Sequence, residues 1–176
     1  VENDPWHAVT FVDNHDTEPG QSLESFVLSW FKPLAYALIL LRIDGLPCVF
    51  YGDLYGIPAK NIPAVAELPT LMKIRELYAY GEQHDYFDDS DIIGWTRSGI
   101  DEFACSGLAV VLSNRIGGSK RMYIGTSHAG KEFKDILGHC SNTVMIDEEG
   151  YGEFSCCDGS VSVWLEKTLE VEVSLD

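Results

Sequence analysis

The fold class this sequence predicts is an α/β segment followed by an all-β segment, and three observations predict it. The apolar run Val9-Thr10-Phe11-Val12 ends abruptly in Asp13-Asn14-His15-Asp16. A second short apolar run, Pro47-Cys48-Val49-Phe50-Tyr51, follows a helical stretch and ends at Gly52-Asp53. From Asp91 onward, short strand-like segments are punctuated by Gly, Asn, Ser and Asp clusters at intervals of roughly a dozen residues. Continuous apolar runs suit strands buried on both faces of a parallel sheet, whereas short strands separated by regular turn clusters suit an antiparallel sandwich or barrel.

Taken in order, the first strand covers residues 9–12 and is followed by a helical region over 23–42. Proline suits the first turn of a helix and breaks an interior, so Pro33 divides that region into a short helix and a fresh one. Gly45 ends the second of these. After the strand at 47–51, a helix is expected over 64–80, its start drawn toward Pro69 and its end marked by Gly81. The interval between the two strands suits a βα repeat. Seven strands are then expected at 92–96, 108–112, 121–124, 132–136, 143–146, 153–156 and 161–165, spaced as in a sandwich or barrel. The tail 170–176 alternates Val with polar residues and reads as a last strand or a linker. Two βα units cannot close a barrel, and would leave an unpaired strand edge unless further polypeptide completes them.

Composition sets outer limits. With 45% hydrophobic and 11% aromatic residues in 176, the chain is globular in character. A net charge of -16 argues against nucleic acid, whose phosphates demand a basic face. The longest apolar stretch, 33–43, is near half the roughly 20 residues that span a bilayer, so a membrane span is not expected. The five cysteines Cys48, Cys105, Cys140, Cys156 and Cys157 are odd in number and contain no C-x-x-C. Buried free thiols are expected in place of a zinc site or disulfide framework, which leans toward a reducing, cytoplasmic location without excluding secretion.

Particular motifs carry a resemblance. Phe11-Val12-Asp13-Asn14-His15-Asp16-Thr17 resembles the fourth conserved region of α-amylases, glycoside hydrolases built on a (β/α)₈ TIM barrel. Gly20-Gln21-Ser22-Leu23-Glu24-Ser25, Trp30-Phe31-Lys32-Pro33-Leu34-Ala35-Tyr36-Ala37 and Val49-Phe50-Tyr51-Gly52-Asp53 are similar to the bacterial liquefying type. So are Gln83-His84-Asp85-Tyr86-Phe87-Asp88, Gly94-Trp95-Thr96-Arg97 and Gly118-Ser119-Lys120-Arg121-Met122-Tyr123-Ile124-Gly125. The resemblance implies that residues 1–84 are the last two βα units of the barrel. Residues 85–176 would then be a C-terminal Greek-key β-sandwich.

It also implies hydrolysis of internal α-1,4-glucosidic bonds of starch and related α-glucans with retention. Retention calls for a nucleophilic carboxylate and an acid/base carboxyl roughly 5–5.5 Å apart. Asp16 matches a third carboxylate that stabilises the transition state, and His15 a binder of the same sugar. The nucleophile and acid match nothing here, so the chain alone is expected to be inactive, its partners being an α-glucan and a missing N-terminal barrel segment. Asp13 and Asn14 read as loop architecture, Asp53 equally as a cap or a cleft residue, and Tyr51 as core.

Calcium is implied for the full-length enzyme. At the junction of the two segments its ligands would be Asp85, backbone oxygen near His84, and Asn114, against a simple hydrogen bond there. His7, His128 and His139 are expected on the surface. Trp95, Tyr123, Tyr151 and Trp164 are expected mainly in the sandwich core. The alternatives are a transglycosylase of the same superfamily, which hands the glycosyl unit to a sugar, or a non-catalytic carbohydrate-binding or structural module.

Overall fold

In a computed structural model, residues 1, 3–169 and 171 are described. Strand β1 (Val9–Phe11) leads through a long connection to helix α1 (Lys32–Leu41) and then to β2 (Leu46–Cys48). β1 and β2 pair in parallel, Thr10 opposite Pro47, with α1 as the crossover between them. The short helix α2 (Tyr51–Tyr55) and the helix α3 (Leu68–Leu77) follow. Both longer helices carry proline in the first turn, where no intrahelical N–H is required.

The chain continues through β3 (Gln83–Tyr86), β4 (Ile92–Arg97), β5 (Leu108–Ser113) and β6 (Gly118–Tyr123). Then come β7 (Glu132–Asp135), β8 (Thr143–Met145), β9 (Tyr151–Cys156) and β10 (Val161–Glu166). They form an antiparallel six-stranded sheet in the order β3-β4-β5-β10-β7-β8, faced by the two-stranded ribbon β6-β9. Side chains alternate across a strand, so each central strand serves two cores. On β5, Leu108, Val110 and Leu112 face the helices, packing with Leu34, Leu41, Leu68, Leu71 and Ile74. Ala109 and Val111 face the ribbon, joining Met122, Phe133, Phe154 and Trp164. The molecule is therefore layered: helices, six-stranded sheet, ribbon.

The sharp return from α3 into β3 depends on glycine. Gly81 has φ +88°, and a Cβ there would come 2.3 Å from the carbonyl oxygen of Gly99.

Several expectations need correction. No separate helix forms over residues 23–31, which run as turn and irregular chain with side chains largely in solvent. Tyr51, Gly52 and Asp53 belong to α2, not to a strand end. β3 was not expected, since Gln83-His84-Asp85-Tyr86 offers no apolar alternation. It is held instead by its ladder to β4 at the sheet edge. Of the five cysteines only Cys156 is buried, because the others lie in turns and loops or on the exposed face of β2. His128 is buried, not on the surface, while Tyr51 is 71% exposed. The strand expected over 170–176 lies outside the described residues, Val171 excepted.

Candidate functional site at the end of the first strand

Beyond β1 the chain turns on Asn14. Its Oδ1 accepts from the backbone N–H of Asp16 at 2.8 Å and of Thr17 at 3.1 Å. The Asn14 N–H in turn donates to Thr17 Oγ1 at 3.1 Å. Such an Asx turn satisfies the loop with its own side chain and leaves the intervening side chains free. His15 and Asp16 project into solvent, 85% and 61% exposed, with Nε2 and Oδ1 3.5 Å apart. Among the described residues no loop amide donates to the Asp16 carboxylate, whose polar neighbour is His15.

Beneath this loop lies a buried ionic cluster. Asp13 accepts the Val27 N–H on Oδ1 at 3.1 Å, fastening the loop to the approach to α1. Lys32 Nζ lies 3.0 Å from Asp13 Oδ2, without hydrogen-bond alignment, and donates to Asp53 Oδ1. The Phe26 ring covers the ammonium at 3.3 Å. Tyr36 donates its hydroxyl to the other Asp53 oxygen at 2.6 Å. Burial first, and then the Asp53 carboxylate, push the Tyr36 phenol well above its usual range, so it stays a donor. One ammonium thus serves two carboxylates, one from the turn after β1 and one from α2.

That cluster decides between readings left open by sequence. Asp53 is neither a cap nor a cleft residue; it is a buried acceptor. Lys32 was missed, although its position offered a signal: a lone ammonium between Phe31 and Pro33 in an otherwise apolar run needs a buried counter-charge. Nearby, Glu18 pairs with Lys60 at 2.7 Å, and that hydrogen bond holds its carboxyl below the usual range.

The residues expected to hold calcium do not come together. Asp85 gives both oxygens to the Arg42 guanidinium, at 2.7 and 3.0 Å. His84 stacks edge-on against Tyr123, with a buried Nε2. Asn114 follows the pair Ile92–Ser113 on the far side of β4, its N–H donating to the Asp91 carbonyl. By strand spacing and rise, its Cα lies roughly 16 Å from that of Asp85. Among the described residues no group of three or more His, Cys, Asp or Glu side chains is arranged to hold a metal. A calcium ion does not fit this set: the bidentate Arg42 pair already satisfies the Asp85 charge.

On the sandwich side, Trp95 and Trp164 are fully buried. Neither can present a ring to a sugar. Asp88 and Asp89 form a solvated acidic turn, their carboxyls held low by Lys120 and by backbone N–H groups respectively.

Comparison with known proteins bears on the whole chain. Residues 108–165 match the family model described as α-amylase C-terminal. The chain is 57% identical over 172 residues to an α-amylase of Geobacillus stearothermophilus, covering 97% of this chain and 31% of that protein. It is 53% identical over 171 residues to an α-amylase of Bacillus licheniformis, covering 95% and 33% respectively. A solved α-amylase from Malbranchea cinnamomea shares the fold with a TM-score of 0.63 at 17% identity, over 94% of this chain and 38% of that one. The chain spans about a third of the length of the curated relatives it matches.

Proposed function

Starting from a chain that matches the α-amylase family, we propose that it supplies the C-terminal part of a retaining α-amylase acting on internal α-1,4-glucosidic bonds. Residues 1–84 are in this reading the last two βα units of the catalytic barrel, and residues 85–176 its C-terminal sandwich. The exposed apolar side chains Val9, Phe11 and Leu46 on β1 and β2 support it, since two parallel strands alone cannot cover them. Calcium is part of the proposal only for the longer protein, not for the Asp85 junction.

The observation that carries the reading is the His15–Asp16 pair, held outward at a strand end above the Lys32 cluster. At the cleavage point Asp16 accepts hydrogen bonds from sugar hydroxyls. Its charge stabilises the ring as positive character develops, so the contact strengthens in the transition state. His15 grips the same sugar. The nucleophile and the acid/base carboxyl belong to the rest of the enzyme, roughly 5–5.5 Å apart as retention requires. By itself the chain is inactive.

The test is Asp16→Asn in the full-length enzyme, followed on soluble starch. The kcat is expected to fall about a thousandfold, in line with loss of one preorganised transition-state contact, while thermal stability stays unchanged. A rise in KM with kcat intact would refute the assignment. Transglycosylation is separated by product analysis: chain rearrangement without new reducing ends would overturn hydrolysis. A sugar-binding module built on Trp95 and Trp164 is disfavoured by their burial.

A further inference from the structure

Two cysteines distant in sequence meet at one end of the sandwich. Cys140, in the loop between β7 and β8, has its Sγ 3.7 Å from that of Cys157, in the turn between β9 and β10. Both are free thiols, Cys157 exposed and Cys140 half-buried. A disulfide needs its sulfurs about 2.05 Å apart, so closure requires a shift of under about 2 Å between two loop residues.

The backbone on each side is fixed, so this approach is a property of the fold. Asp135 receives four main-chain N–H groups. Leu137 and Val163 donate to Oδ1 at 3.2 and 2.9 Å, and His139 and Cys140 to Oδ2 at 2.9 Å each. Opposite, Asp158 accepts the Gly117 N–H at 2.6 Å, and Gly159 donates to the Arg115 carbonyl at 2.7 Å. Cys140 Sγ lies 3.4 Å from Ser162 Oγ, and Cys157 Sγ lies 3.3 Å from the His139 carbonyl oxygen. These contacts direct the two sulfurs toward each other.

The neighbouring Cys156 is no competitor. It points to the opposite face of β9, into the core with Met122 and Phe154, and burial pushes its thiol up to about 11. Cys48 and Cys105 are also free, on β2 and in the loop before β5.

We propose that Cys140 and Cys157 form a reversible disulfide by exchange with a low-molecular-weight disulfide. The exposed Cys157 thiolate attacks one sulfur of the small disulfide, releasing one small thiol and leaving a mixed disulfide on Cys157. The Cys140 thiolate then attacks the Cys157 sulfur, and the second small thiol leaves. Each small disulfide is reduced to two thiols as the two cysteines are oxidised, and their two protons pass to the released thiolates. The product ties the β7–β8 loop to the β9–β10 turn across the sheet end.

The experiment uses the full-length protein that carries this chain, fully reduced, desalted and treated with neutral hydroxyethyl disulfide, which the acidic surface does not repel. Remaining thiols are capped with N-ethylmaleimide and the protein is digested without reductant. The expected product is a cross-linked peptide pair joining Cys140 to Cys157, two hydrogens lighter than its parts and lost on treatment with dithiothreitol. Maleimide labelling is lost at both positions together. Cys140→Ser should instead keep a lasting hydroxyethylthio adduct on Cys157, and Cys156→Ser should form the link as before. A persistent adduct on wild-type Cys157 with Cys140 still maleimide-labelled would overturn the proposal. So would linkage of Cys157 to Cys48, Cys105 or Cys156. The wild-type peptide map decides the matter even where a variant fails to fold.

Discussion

The βα segment and the sandwich solve the burial problem differently. In the sandwich, Trp95, Trp164, Phe133 and Phe154 are wholly buried, because the six-stranded sheet has a layer on each face and Phe154 points from the ribbon toward it. In the βα segment, α1 packs against β1 on one side, and Val9, Phe11 and Leu46 stay exposed on the other. Trp6, Leu23, Leu28 and Trp30 lie exposed in the same segment. Clustered exposed apolar groups of this kind mark a surface that another element covers. The sandwich sheet is covered on both faces, by the ribbon on one and by α1 and α3 on the other, whereas β1 and β2 have only half their walls. The residues proposed for chemistry sit on the half-walled segment, which fits a cleft completed by further polypeptide.

Four measurements on the 176-residue chain would sharpen or break that contrast. The largest effect is expected in the closed region: Trp164→Ala opens a cavity between sheet and ribbon and removes the indole bond to the Ser155 carbonyl. Denaturant unfolding should lose about 3–5 kcal/mol. A loss under about 1 kcal/mol would mean the two layers are not tightly packed.

Next comes Lys32→Ala, which leaves Asp13 and Asp53 buried without their cation. A loss of about 3 kcal/mol is expected, with faster hydrogen exchange at the Val27 N–H. An unchanged midpoint would show that the cluster does not brace the loop.

A smaller effect follows from His128, whose pKa burial lowers from the ordinary 6.5. The folded state then holds this proton less tightly than the unfolded state. Its contribution is complete above 6.5 and is lost as pH falls through the lower folded value. Melting curves between about pH 7 and pH 5 should drop less steeply for His128→Asn than for the unaltered chain. Parallel slopes would contradict a neutral buried imidazole.

The smallest change is expected from Phe11→Ser, within roughly 0.5 kcal/mol in the chain alone because the side chain is already 53% exposed. In the full-length protein the same change should cost about 3 kcal/mol or more. Equal losses in both settings would sink the half-walled reading.

Much of the fold could be read from local pattern. Residues 108–112 and 161–165 signal strands because their apolar residues belong to both faces, and 92–96 signals one through its aromatic and β-branched content. Pro33 and Pro69 announced helix starts, since a proline there gives up no hydrogen bond. β3 was illegible because an edge strand of Gln, His, Asp and Tyr is defined by its partner β4, not by its own composition. At the site, the exposed pair His15 and Asp16 was visible in the motif, while Lys32 and Asp53, 21 residues apart, meet only when α1 packs beside α2. The calcium grouping failed for a related reason: it took residues that resemble a ligand set without the sheet register that separates Asn114 from Asp85.

By itself, the sequence determined the two kinds of architecture, the strand-end motif and the family it resembles, because periodicity, turn residues and contiguous motifs act over a few residues. Tertiary structure alone decided the ionic cluster under the loop, the pairing of Asp85 with Arg42, and the approach of Cys140 to Cys157. Each joins groups far apart along the chain, and such contacts arise only after helices and sheets have packed and water has been excluded between them.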